Sequence, residues 1–334
     1  MSYYARRKIR MAIKGLVVVL LVINIAILGW SLIKDSDWYL SIVLLPLPPD
    51  ETPPTIILKG GENVTIPINK TFQDDGVEAY DARSETTVTI ESDVNTDEEG
   101  DYLVKYIASD ERGNIATAER RVKVIRPTGT VYLTFDDGPS PYTGKLLDVL
   151  KQYGVKATFF VTGAGPDDMI KREYDEGHAI GLHTASHQYS YIYSSIDNFL
   201  ADLYAVQDRV KNITGYTSML MRFPGGSSNT VSARYDGRSH IMSKLVQEVE
   251  ARGFVYFDWN VLSGDAGETD VTSIVKDNVI NGLKEGGNSV VLQHDVKDYS
   301  VDAVEGIIQY GLEHGYVFDK LGMDSFTAHH GVNN

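Results

Sequence analysis

Cysteine is absent from all 334 residues. Its absence excludes a disulfide framework, thiolate-bound zinc and a cysteine nucleophile, so any metal must rest on nitrogen and oxygen ligands. Basic side chains are scarce as well: 31 Lys and Arg stand against 46 Asp and Glu, a net charge of -15. Nucleic-acid binding depends on basic groups displacing counterions. A body this acidic repels a phosphate backbone, which excludes nucleic acid as a partner. With 43% hydrophobic and 23% charged residues the chain fits neither a disordered nor a multi-pass membrane class. What remains is a folded body long enough for two domains, or for one barrel with attachments.

The charge is divided by position. Arg6, Arg7, Lys8, Arg10 and Lys14 make residues 1–14 a basic segment without an acid. Residues 15–33 read GLVVVLLVINIAILGWSLI with no charge, a length that matches a hydrocarbon core of about 30 Å. This predicts a transmembrane anchor, too long and too poor in cleavage signals for a signal peptide. The basic flank places the N-terminus in the cytoplasm and the rest outside the cell, at the membrane. Residues 34–54 hold Pro46, Pro48, Pro49, Pro53 and Pro54 and read as an extended linker. Residues 55–126 show short alternating runs and turn signals that predict a small all-β sandwich.

From residue 128 to 324 the pattern becomes apolar strands alternating with helical stretches, the signature of a parallel α/β sheet or barrel. Expected strands cover 131–135, 157–161, 179–183, 219–223, 254–260 and 289–294. The last residues, 325–334, read as a frayed, exposed tail. Reactive residues gather where barrel strands end. Asp136-Asp137, His183, Arg222 and His294 each stand at such an end, so distant positions converge on one mouth.

Each group is weak alone. Asp136-Asp137-Gly138-Pro139 is an ordinary turn by itself, but one carboxylate could bind a cation while its neighbour serves as base. His183 and His187 are four apart, which on a helical turn puts both on one face, although such pairs are common on surfaces. With one carboxylate they make a His2Asp set with positions left for water and substrate. Arg222 could orient an aspartate, and the Gly225 amide could donate to an oxyanion. His294 could protonate a leaving amine, though a lone His is more often structural.

Together these residues carry a resemblance. Thr134-Phe135-Asp136-Asp137-Gly138-Pro139, His183-Thr184-Ala185-Ser186-His187, Arg222-x-Pro224 and Leu292-Gln293-His294 resemble, in order, the motifs of the polysaccharide deacetylase family, the NodB-homology carbohydrate esterases. Residues 52–126 resemble bacterial Ig-like modules of surface proteins. The resemblance implies Asp136 as general base, and Asp137, His183 and His187 as ligands of zinc or of cobalt, nickel or manganese. It also implies that Arg222 orients Asp136, that Gly225 N–H and Leu292 lie at the substrate, and that His294 is the acid. Asp265, six residues after Trp259, matches the aspartate that tunes the acid, with Asp258 a weaker candidate. The implied fold is a distorted (β/α) barrel with fewer than eight strands. Two departures stand out: Gly225 replaces an aromatic residue, and Ala266 replaces a tryptophan of the acetyl pocket wall.

The implied reaction is hydrolysis of N-acetyl groups on an extracellular glycan polymer, foremost peptidoglycan N-acetylglucosamine. Alternatives are deacetylation of chitin or an exopolysaccharide, O-acetyl esterase activity on xylan, an inactive wall-binding protein, or a scaffold at the membrane.

Overall fold

The computed structural model describes residues 49–237 and 240–333. The expected basic segment, membrane span and most of the linker lie outside these residues. Among the described residues no helix is long and apolar enough to cross a membrane.

The N-terminal part is built from β1 (Thr55–Leu58), β2 (Asn63–Pro67), β3 (Val77–Tyr80), β4 (Thr86–Ser92), β5 (Gly100–Asp110) and β6 (Ile115–Ile125). β1 and β3 form an antiparallel pair, and the other four strands form a sheet in the order β2-β6-β5-β4. Alternation of more and less buried residues along most of β5 and β6 turns Val104, Tyr106 and Val122 into the core between the sheets. A charged residue completes this small core. Arg120 is 1% exposed and pairs with Asp74 while donating to the carbonyls of Lys59 and Gly61. The Tyr106 hydroxyl also donates to Asp74, at 2.6 Å. Burying this cation is tolerable only because each of its three nitrogens has a hydrogen-bond partner.

The larger part is an all-parallel sheet with helices packed outside. Its elements are β7 (Gly129–Asp136), α1 (Thr143–Gln152), β8 (Thr158–Val161), α2 (Asp167–Asp175), β9 (Ala179–Leu182), α3 (Tyr189–Ile192), α4 (Ile196–Thr214) and β10 (Leu220–Met221). There follow α5 (Ile241–Ala251), β11 (Val255–Tyr256), β12 (Val261–Leu262), α6 (Thr272–Gly282), β13 (Asn288–His294), α7 (Asp298–Glu313) and β14 (Tyr316–Phe318). Strand order is β11-β10-β9-β8-β7-β13-β12, with β14 alongside the start of β7.

The central strands are apolar because both their faces are covered. β7 is buried at seven of its eight positions. The helices each bury one stripe; in α4 it is Phe199, Leu203, Val206 and Val210, spaced for a period of 3.6. That helix starts at Ser195, whose hydroxyl accepts from the Asn198 N–H, and stops at Gly215 in a left-handed conformation.

The sheet curls without closing. Eight strands take part, more than the sequence led one to expect, yet β11 and β12 at the two ends of the order do not pair with each other. The C-terminal segment lies beside this opening, which corrects the reading of a frayed tail. Ala328 is buried, and its carbonyl accepts from the Asp258 N–H. His329 stacks flat on Tyr256 with ring centroids 3.8 Å apart. His330 meets Trp259 edge-on and bonds to its carbonyl at 2.6 Å.

The β-sandwich packs where the barrel strands begin. Lys156, just before β8, pairs with Asp75 at 3.3 Å, and Lys70 pairs with Asp319 just after β14. Gly61 lies so close to Gly154 that a Cβ there would come within 2.6 Å of the Gly154 Cα. The catalytic candidates lie at the opposite ends of the strands.

Candidate active site

Asp136 is the last residue of β7 and is register-paired with His294, the last residue of β13. Neighbouring strands stand about 4.8 Å apart, so the two backbones deliver a carboxylate and an imidazole to the same rim. His183 follows β9 directly and Arg222 follows β10 directly. The convergence comes from parallel topology, in which every strand ends on the same side.

Arg222 is fully buried. Its guanidinium donates to Asp136 Oδ1 at 2.8 Å, to Thr134 Oγ1 at 2.7 Å and to the carbonyls of Phe257 and Asp258 at 2.9 Å. Phe160 covers one aspect of it at 4.3 Å, and the Trp259 ring lies 5.7 Å away. One oxygen of Asp136 is thereby fixed. The other lies 3.7 Å from His183 Nε2 and faces the mouth.

His183 Nδ1 bonds to the Arg222 carbonyl at 2.9 Å. A carbonyl only accepts, so this nitrogen carries the proton and Nε2 is left bare. His183 Nε2 is 3.6 Å and His187 Nε2 3.4 Å from Asp137 Oδ1. These three ligand atoms all lie within 4.8 Å of one another. Asp137 Oδ1 is buried with no hydrogen-bond partner, a costly state for a carboxylate oxygen unless a cation meets it. Two imidazole nitrogens and one orphaned carboxylate oxygen fit a divalent metal of the zinc type. Burial and the neighbouring His183 hold the His187 imidazole below its ordinary range, which favours the neutral, ligating form.

The expected helical turn between the two histidines is not formed. The segment is a loop, with Thr184 at φ 62 and His187 at φ 51, and Asp137 likewise sits at φ 75. Among the described residues only five non-glycine residues take a left-handed conformation, and three of them are here. Each costs of order 1 kcal/mol, and such costs concentrate where geometry serves chemistry.

Asp265 receives three hydrogen bonds: from His294 Nδ1 at 2.9 Å, from the His294 N–H at 2.7 Å and from the Ser300 hydroxyl at 2.6 Å. Burial alone would lower the His294 pKa, but the bond and charge of Asp265, with Asp136 and Asp137 beyond, push it up to about 9. Asp258 does not take this role. It accepts from Ser227 N–H, Ser227 hydroxyl and His330 N–H and so ties the loop after Arg222 to the C-terminal segment.

Gly225 and Gly226 both have positive φ, at 76 and 80. The Gly225 N–H has no hydrogen-bond partner among the described residues. Leu292, 5% exposed, shares a strand face with His294 two residues on. Trp259 lies against Gly226 and His330. Ala266 is exposed. Sequence reasoning missed Tyr189, whose ring meets His187 edge-on with centroids 5.4 Å apart; its nearness to His187 in the chain was the only available signal.

A family model described as polysaccharide deacetylase matches residues 123–240, and one described as bacterial surface protein, Ig-like domain, matches residues 56–124. A peptidoglycan-N-acetylglucosamine deacetylase of Bacillus cereus is 33% identical over 203 residues, covering 58% of this chain and 70% of the relative. The chain belongs to the polysaccharide deacetylase family. A chitin deacetylase of Colletotrichum lindemuthianum is 34% identical over 203 residues, 55% of this chain and 76% of that one. Among solved structures, the catalytic domain of a peptidoglycan N-acetylglucosamine deacetylase from Eubacterium rectale is 51% identical with a TM-score of 0.60, covering 61% of this chain and 94% of that one. As a polysaccharide deacetylase, the chain carries its candidate ligands and its Arg222–Asp136 pair on the strand ends of a curled, parallel half-barrel.

Proposed function

We propose that this protein is a metal-dependent hydrolase that removes acetyl groups from N-acetylglucosamine residues of peptidoglycan, outside the cell and held at the membrane by residues 15–33. The reading is carried by one juxtaposition: a carboxylate pinned by a buried arginine, a His2Asp cluster with an orphaned oxygen, and a carboxylate-paired imidazole on the adjacent strand.

Asp137, His183 and His187 would hold the cation, which when bound supplies a Lewis acid for the acetamide carbonyl and its attacking water. Arg222 occupies one oxygen of Asp136 and leaves the other to accept the proton of that water. As the water oxygen bonds to the carbonyl carbon, charge moves to the carbonyl oxygen, where the free Gly225 N–H is available to donate. Asp265 keeps His294 protonated, and its Nε2 proton passes to the nitrogen as the carbon–nitrogen bond breaks, giving an amine and acetate. Leu292 and Trp259 would line the acetyl and sugar side of the mouth.

The choice of peptidoglycan is supported by the names of the Bacillus and Eubacterium proteins to which the chain is similar. Chitin is the second reading, favoured by the similarity to a chitin deacetylase. Acetate release from purified peptidoglycan, chitin oligomers and acetylxylan, with and without a chelator, separates them. Asp136→Asn is expected to abolish release while leaving metal bound, and undiminished release would refute the assignment of the base.

A further inference from the structure

Tyr189 stands over the loop that follows Arg222. The position after Pro224 is a glycine, and the Tyr189 hydroxyl lies directly over it: a Cβ at Gly225 would come within 2.8 Å of that oxygen. The ring of residue 189 thus takes space that a side chain at residue 225 would need. Its position is fixed from two sides, by His187 at 5.4 Å and by Tyr193 at 5.5 Å between ring centroids. Tyr193 is fully buried and donates its own hydroxyl to the Pro224 carbonyl at 2.6 Å, so the loop and both rings form one assembly.

Two donors in this assembly have no acceptor. Neither Tyr189 Oη nor the Gly225 N–H has a hydrogen-bond partner among the described residues. The Tyr189 ring lies against His187 and its hydroxyl against Gly225, beside the place where an acyl oxygen would stand if His187 helps to hold the cation. A protonated phenol on a ring locked by packing is a preorganised donor, the kind of group that stabilises charge developing on a carbonyl oxygen.

We propose that Tyr189 is a catalytic residue whose phenolic O–H donates to the carbonyl oxygen of the N-acetyl group as that oxygen becomes negative, next to the Gly225 N–H. This assignment rests on the deacetylase reading above. The hydroxyl gives up no proton in the step; it lends one hydrogen bond that is stronger at the tetrahedral stage than in the bound amide.

The test is steady-state acetate release from N-acetylglucosamine oligomers by the metal-loaded wild type and by Tyr189→Phe, with melting temperature and metal content measured on both. Phenylalanine keeps the ring contacts and removes only the donor. The expected result is a fall in kcat of roughly 10–100-fold, at or below the effect of deleting an oxyanion donor elsewhere, with KM and metal content close to wild type. If the variant melts lower, the comparison is made well below both transitions. Unchanged kcat, or a rise in KM alone, overturns the assignment, the latter by moving the hydroxyl to glycan binding. A wild type that releases no acetate overturns the deacetylase reading, and the Tyr189 assignment falls with it. An active wild type with an equally active Tyr189→Phe overturns only the Tyr189 assignment.

Discussion

Replacing Asp265 by asparagine isolates the electrostatics of the proposed acid. Asp265 is 1% exposed and His294 is mostly buried, so their interaction is poorly screened. The imidazole titrates at about 9 in place of the ordinary 6.5. That interval corresponds to about 3 kcal/mol in favour of the imidazolium. An asparagine keeps the shape and can still accept from the backbone N–H and from Ser300, but it carries no charge and turns an amide towards Nδ1. Burial then prevails, and His294 returns to 6.5 or below. At about pH 8 the protonated fraction falls from roughly 90% to a few per cent, so kcat/KM drops about thirtyfold, whereas at about pH 5.5 the two enzymes differ little on this account. A cation on the adjacent cluster lowers both alkaline limbs together, which makes their separation the diagnostic quantity. The assay is the pH profile of acetate release for both enzymes. Coincident alkaline limbs would show that Asp265 does not set the acid's protonation, or that His294 is not the acid. The same pair enters stability: because the folded pKa is raised, its contribution is complete below 6.5 and disappears as pH climbs through about 9, and the variant lacks it.

Two further outcomes concern stability. Glu173 is fully buried, both its oxygens lack hydrogen-bond partners, and burial, with Asp295 nearby, raises its pKa well above 4.5. Glu173→Gln should therefore raise stability by about 1–3 kcal/mol at neutral pH; the gain should fade below about pH 4.5, where folded and unfolded forms are both protonated, as urea unfolding at the two pH values would reveal. Ending the chain after Thr327 removes buried Ala328, the His329–Tyr256 stack and the His330 bonds to Trp259 and Asp258; we expect a melting temperature lower by about 5–10 °C, and an unchanged value would mean that this segment contributes no stability.

Parallel strands covered on both faces write themselves into a sequence as apolar runs, which is why β7, β8, β9 and β13 were legible to within a residue or two. The apolar runs at 219–223 and 254–260 extend beyond the two-residue strands within them. Phe223, Phe254 and Phe257 are buried there as strands would bury them, but they lie just beyond the paired residues of β10 and β11. The three residues of β14 and the single turn of α3 are too short to show a period. Ligand spacing suggested a helix at His183–His187, whereas the loop reaches its geometry through left-handed residues that no propensity reports. The C-terminal histidines look solvated in sequence because they are polar, yet they are held by ring stacking and by bonds to carbonyls and to Asp258 that only the fold supplies. Tyr189 gains meaning only beside Gly225, 36 positions away in the chain.

The Ig-like module and the reacting groups sit at opposite ends of the same strands, about a strand length, ~25 Å, apart. The module thus works as a pedestal, gripping the underside of the barrel and leaving the rim uppermost. A taller, shorter or different plinth could be exchanged beneath this site with no change asked of the geometry above.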